Sequence, residues 1–175
     1  MILYARKYVS RRERPLTLAD QDVRTVARSL KQAHGWAVAL AAEEMANIIP
    51  VPCPHWLVPV PNSQGDLTAN DKLARAIARL SGGRVKRAIR RTQPVESSCE
   101  LRRRGFGPLP VSEHHIERTP ELLQALPVFF VDNVVTSGNT IRACQMALGW
   151  GEGLVYADAS TRHNQHFRFS QVKTL

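Results

Sequence analysis

The sequence predicts an α/β fold, a mostly parallel sheet flanked by helices, with an N-terminal helical segment in front of it. Three observations carry this expectation. Trp56-Leu-Val-Pro-Val60, Val128-Phe-Phe-Val131 and the stretch from Gly153 to Ala159 are apolar runs of strand length. Segments with helical periodicity lie between them, and such alternation is the pattern of helix-connected parallel strands. The length, 175 residues, suits one domain able to bury a real core, and the 43% hydrophobic content fits a folded chain.

Taken in order, the elements read as follows. Thr17 is a candidate N-cap with Asp20 three residues on, and Val23, Val26, Ala27 and Leu30 then recur on one helical face. Gly35 is placed to end that helix. A second, alanine-rich helix runs from Trp36 to Ile49 and stops at Pro50, after which Pro50, Pro52 and Pro54 form a stiff connector. Residues 1–50 are therefore expected to be helical, and residues 56–160 to form the core of a single domain. Trp56 to Val60 is a short buried strand, and Pro61 to Asp66 a polar loop. Asn70 to Leu80 is a helix with Leu73, Ala74, Ile77 and Leu80 on one face, followed by Gly82-Gly83. Arg84 to Ile89 alternates enough to be a strand. Thr92 to Arg118 is long, charged and weakly periodic, which predicts a functional, mobile loop. Pro120 opens a short helix ending before Pro127. Val128 to Val131 is a strand covered on both faces. Asn139 to Leu148 is a helix closed by Gly149, and Gly153 to Ala159 is the last strand.

Composition narrows the function. No apolar run approaches the ~20 residues of a membrane span, and nothing before Arg6-Lys7 resembles a signal peptide. A cytoplasmic protein with no membrane partner is expected. Cys53, Cys99 and Cys144 are scattered with no CxxC pair, which argues against a disulfide framework and a cysteine zinc site. His163 and His166 have the H-x-x-H spacing but no third ligand placed beside them. The net charge of +9 is uneven, for residues 84–104 hold eight Lys/Arg against two Glu. A second basic group comprises Arg6, Lys7, Arg11, Arg12 and Arg14. Such concentration suits a polyanionic partner, either nucleic acid or a phosphorylated small molecule.

The segment richest in chemistry is VFFVDNVVTSGNT, residues 128–140. Asp132 and Asn133 are expected at the carboxyl end of a buried strand, where ligands bind in parallel α/β sheets. Their short side chains can accept hydrogen bonds from vicinal hydroxyls, as on a ribose, and Asp132 supplies charge near a divalent metal. Thr136, Ser137, Gly138, Asn139 and Thr140 then offer hydroxyls, a glycine and the open amides of a helix start, which suit a phosphate monoester. There is no GxxxxGK[ST] and no GxGxxG following a strand.

This segment resembles the phosphoribosyl pyrophosphate (PRPP) motif of type I phosphoribosyltransferases: an apolar strand, two acids, two apolar residues, then Thr, Thr or Ser, Gly, any residue, Thr. Leu57-Val-Pro-Val-Pro-Asn62 with its polar loop resembles the pyrophosphate loop of the same family. The VPVP strand and the RRT…RRRG arrangement are most similar to the ComF-like branch, which is associated with DNA uptake. The resemblance covers roughly residues 56–160.

It implies a type I phosphoribosyltransferase-like fold and a Mg2+-dependent transfer of a phosphoribosyl group from PRPP to a nitrogen acceptor, with loss of pyrophosphate. A ribose 5-phosphate ligand is the simpler alternative. By the same resemblance Asp132 and Asn133 hold the ribose hydroxyls, with Asp132 near Mg2+, directly or through water. Residues 136–140 hold the 5'-phosphate. Asn62, Ser63, Gly65 and Arg91 approach the pyrophosphate. The 92–118 segment closes over the site, bringing Arg103 or a neighbouring arginine to the leaving group. A homodimer is compatible with it. The departure is Asn133, where the family usually has an acid. One negative charge is lost, which weakens stabilisation of a cation-like ribosyl centre more than it weakens binding. A catalytically weak binding or regulatory module linked to nucleic acid is the second expectation.

Overall fold

The computed structural model describes residues 1–10, 13–50, 54–120 and 124–160. Five parallel strands form the main sheet: β1 (Ile2–Lys7), β2 (Trp56–Pro59), β3 (Arg84–Val85), β6 (Val128–Val135) and β7 (Glu152–Asp158), in the order β1-β7-β6-β2-β3. A separate antiparallel pair joins β4 (Ile89–Arg91) to β5 (Ile116–Arg118). The helices are α1 (Leu18–Lys31), α2 (Gly35–Ala46), α3 (Thr68–Ser81), α4 (Ser98–Arg103) and α5 (Asn139–Leu148). The expected α/β architecture with a parallel sheet and flanking helices is present.

Side-chain alternation builds two cores. Leu57, Phe129, Val131, Leu154 and Tyr156 meet α1, α2 and α3 on one face. Trp56, Val58, Phe130 and Val155 meet Ile141, Cys144 and Leu148 of α5 on the other. Both faces are covered, so the central strands are apolar without a break until the sheet's carboxyl edge.

Connectivity sets where a ligand could bind. From β2 the chain passes through α3 to β3, outward in one direction, while from β6 it passes through α5 to β7 in the other. β2 and β6 are neighbours, so the loops that follow them diverge and leave a crevice at their carboxyl ends.

Several expectations need correction. Residues 1–50 do not begin as helix, because Ile2 to Lys7 forms the edge strand β1, pairing from Ile2↔Gly153 to Lys7↔Asp158. Ile2 and Leu3 enter opposite cores, so the strand is held by burial on both faces. Gly35 does not end the first helix: α1 stops at Lys31, capped by Gln32, and Gly35 opens α2. Arg84 to Ile89 is not one strand. Lys86 N–H still donates to the Leu57 carbonyl at 3.0 Å, and the chain then leaves the sheet to pair with β5. The 92–118 segment is not a plain loop, since it folds α4, a 3-10 turn at Val111–His114 and β5. Strand β6 reaches Val135, four residues beyond the expected end at Val131. The helix expected after Pro120 involves residues 121–123, and the basic pair at 11–12 and the histidines at 163 and 166 are likewise outside the described residues.

Candidate functional site

The extension of β6 places Asp132 and Asn133. β2 makes its last ladder pair at Pro59↔Val131, while β6 continues against β7 to Val135↔Asp158. The two polar residues therefore stand inside a strand, but past the end of one neighbour, at the margin of the crevice. Both are half-buried. Asp132 Oδ1 accepts the Asn133 N–H at 2.8 Å, and Asn133 Oδ1 accepts the Val134 N–H at 2.7 Å. Each side chain is thereby oriented by the backbone that follows it.

A residue the motif does not include completes this arrangement. Asn70, in the first turn of α3, is 8% exposed. Its Nδ2 donates to the Val60 carbonyl at 2.7 Å and to Asp132 Oδ1 at 3.1 Å. The periodicity did carry a signal, because Asn70 shares the helical face of Leu73, Ala74 and Ile77, where an apolar residue is the ordinary choice. Burial pushes the Asp132 carboxyl up. The Asn133 amide, the Asn70 side chain and the charges of Lys31 and Arg91 oppose that push.

Lys31 enters from α1, a helix that touches β1, β7, β6 and α3 in turn and so walls the sheet beside the crevice. Arg91 enters from β4. Its Nε donates to the Asn62 carbonyl at 2.8 Å, and its Nη1 to the His114 carbonyl. Burial pulls its guanidinium below the usual arginine range. Arg91 therefore braces the loop after β2 while its charge acts on Asp132.

That loop is closed by its own residues. Asn62 Oδ1 accepts the N–H groups of Gln64 and Asp66 at 2.9 and 3.0 Å. Gly65 adopts φ +87°, with the Arg91 carbonyl 3.7 Å from where a Cβ would stand. Ser63 is tied through its carbonyl to Val95 N–H at 2.8 Å. The side-chain oxygen of Asn62 is thus committed to shaping the loop.

At the other wall, Gly138 at φ 79° starts α5, and no side chain caps that helix. Thr17 and Ser97 cap α1 and α4 through capping boxes, while α2 and α3, like α5, start without a side-chain cap. Ser137 Oγ lies 3.3 Å from the Asn139 amide, and Thr136, Ser137 and Thr140 are half-buried around it. Asn139 turns its Nδ2 outward to the Leu109 carbonyl at 2.8 Å, fastening the 92–118 segment to the start of α5. Within that segment His114 is 5% exposed, and neither ring nitrogen has a hydrogen-bond partner among the described residues.

The structure thus gathers Asp132, Asn133, residues 136–140, the 62–65 loop and Arg91 around one crevice. Arg103 lies in the 92–118 segment. It is exposed at the end of α4, and its charge acts on Glu100. Arg104 chelates Glu96 at 2.8 Å and lies 4.9 Å over the Phe106 ring.

No group of three or more His, Cys, Asp or Glu able to hold a metal occurs among the described residues. Mg2+ needs no such cage, because it keeps several waters and commonly binds one or two carboxylates plus ligand phosphates. The Asp132 carboxylate fits that mode. No helix among the described residues is long and apolar enough to cross a membrane. No family model matches the chain, and no curated protein does.

Proposed function

We propose that this chain is a type I phosphoribosyltransferase-like protein that binds PRPP or a ribose 5-phosphate ligand with Mg2+ at the crevice between β2 and β6. One observation carries the reading: an acceptor pair, Asp132-Asn133, stands beyond the end of β2 beside a helix start with no side-chain cap. A ribose phosphate has the matching order of groups, vicinal hydroxyls at one end and an anion at the other. The 5'-phosphate would meet the amides and hydroxyls of residues 136–140. The hydroxyls would meet Asp132 and Asn133. The pyrophosphate would lie against the 62–65 loop, and Asp132 would hold Mg2+, which would supply positive charge to the leaving group.

In this reading the protein mostly positions groups and balances charge. Displacement of pyrophosphate by a nitrogen nucleophile at the anomeric carbon passes through a cation-like ribosyl centre, which Asp132 stabilises from nearby. Asn133 orients a hydroxyl without adding charge, so turnover is slow relative to binding. Isothermal titration with Mg2+-PRPP and with ribose 5-phosphate tests the proposal. Both should bind, and Asp132→Ala should weaken binding at least about tenfold, the loss of a charge-assisted hydrogen bond. Absence of heat and of any thermal shift with folded protein would reject it.

A nucleic-acid-linked module is the second reading, favoured by the exposure of Arg102, Arg103 and Phe106, the last 56% exposed. Its mark is DNA affinity that falls steeply with salt as phosphate contacts release counterions. Negligible affinity at low salt would discard it.

A further inference from the structure

Asn70 is a polar side chain where helical periodicity calls for an apolar one, and burial of an amide is costly unless its hydrogen bonds are made. Here both hydrogens of one nitrogen are used. They point to the Val60 carbonyl at 2.7 Å and to Asp132 Oδ1 at 3.1 Å. Both partners are acceptors only, at least with the carboxylate ionised, so the amide orientation follows from the network. Neither a hydroxyl nor a carboxylate supplies two such hydrogens from one atom. Asn70 thereby joins three elements at the margin of the crevice: α3, the end of β2, and the part of β6 that β2 no longer pairs.

We propose that Asn70 is a positioning residue for Asp132, fixing the carboxylate at the sugar end of the candidate site while leaving the anion end untouched. This inference rests on the ribose-phosphate reading of the crevice. β2 supplies no ladder partner at Asp132, so a side chain from α3 takes over the bracing that a neighbouring strand gives elsewhere. The anion end is built on the other wall by Gly138 and the first turn of α5, whereas the Asn70 side chain donates to Val60 and Asp132.

The test separates the two ends. Ribose 5-phosphate and inorganic phosphate are each titrated into the wild type, Asn70→Leu and Asn70→Asp. Asn70→Leu keeps the volume and helix face without the donors, and Asn70→Asp keeps the shape but faces the carboxylate with acceptors. Both variants should bind ribose 5-phosphate about tenfold more weakly with inorganic phosphate affinity unchanged, and Asn70→Asp should be the worse of the two. Equal losses for both ligands would mean a general structural role and overturn the proposal, as would unchanged affinities. If the wild type binds neither ligand, the ribose-phosphate reading fails. A double-mutant cycle of Asn70→Leu with Asp132→Leu, read by urea unfolding, then still decides whether the two residues are coupled. Additive effects would reject the positioning role by themselves.

Discussion

Asn133 differs from a carboxylate by one charge, and its surroundings accept either group. Its oxygen takes the Val134 N–H at 2.7 Å, a bond that an aspartate oxygen can make equally well. Asn133→Asp is therefore expected to fold as the wild type does. It should tighten Mg2+-PRPP binding by about tenfold, since a charged acceptor bonds more strongly than a neutral one. Titration calorimetry with and without Mg2+ measures this, and pyrophosphate release with a panel of bases should rise in parallel. Unchanged affinity would remove Asn133 from the proposed site. The polar pair and the residues after it were legible in the sequence because they are contiguous and end a strand. Asn70 was not, because its meaning lies in a partner 62 positions away. His55 was hidden for the same reason. Its fully buried ring stands edge-on to Phe129 with centroids 5.6 Å apart, and Gly83 alone has room beside it.

Among the elements, the bond from Asn139 Nδ2 to the Leu109 carbonyl does two things at once. It occupies a side chain that could otherwise fold back over the start of α5, and it holds the 92–118 segment to that start. Asn139→Ala is expected to speed amide hydrogen exchange across residues 105–114 while leaving α3 unaffected. Exchange that is unchanged in the segment would show that the tether contributes nothing. Helices α1, α3 and α5 were readable from apolar spacing and from their caps. β1 was not, since six residues with Arg6 and Lys7 at the exit give too short a pattern to separate from a helix or a tail. The break between β3 and β4 fell inside a stretch read as one strand, although the adjacent charges Lys86 and Arg87 interrupt its alternation where the chain changes sheets.

For the whole molecule, two buried histidines contribute to the loss of stability in acid, beside the ion-paired carboxyls of Asp20 and Asp71, which are held below their ordinary range. Burial holds the His55 imidazole below its ordinary range. Burial, and then the Arg91 charge, lower His114 from 6.5 to about 4, with the adjacent His115 adding to the effect. Folded, these rings stay neutral where the unfolded chain already takes up protons, so the stability they contribute is full above pH 6.5 and, for His114, is lost as pH drops toward about 4. For His114 alone the limiting loss is about 3 kcal/mol. Asp132 acts in the opposite sense: with its carboxyl raised, the folded chain keeps a proton above 3.8, and stability declines as pH rises through that range. His114→Leu should therefore flatten the fall in urea midpoint between pH 7 and pH 4.5 and make the variant the more stable protein at the acid end. A slope equal to that of the wild type would assign the acid loss elsewhere.

The pairing of β1 with β7 also has a consequence in time. Ile2 bonds across to Gly153, and the described residues give β1 no other strand partner. During synthesis β1 emerges well before its neighbour β7 exists. Until then Ile2 and Leu3, which end up 3% and 4% exposed, have no sheet to close against. The loop this contact closes spans almost the entire fold, which delays its formation relative to the local β2-α3-β3 and β6-α5-β7 units. Pairing of β1 is thus late relative to those local units, and a chain halted before residue 152 carries β1 without its strand partner.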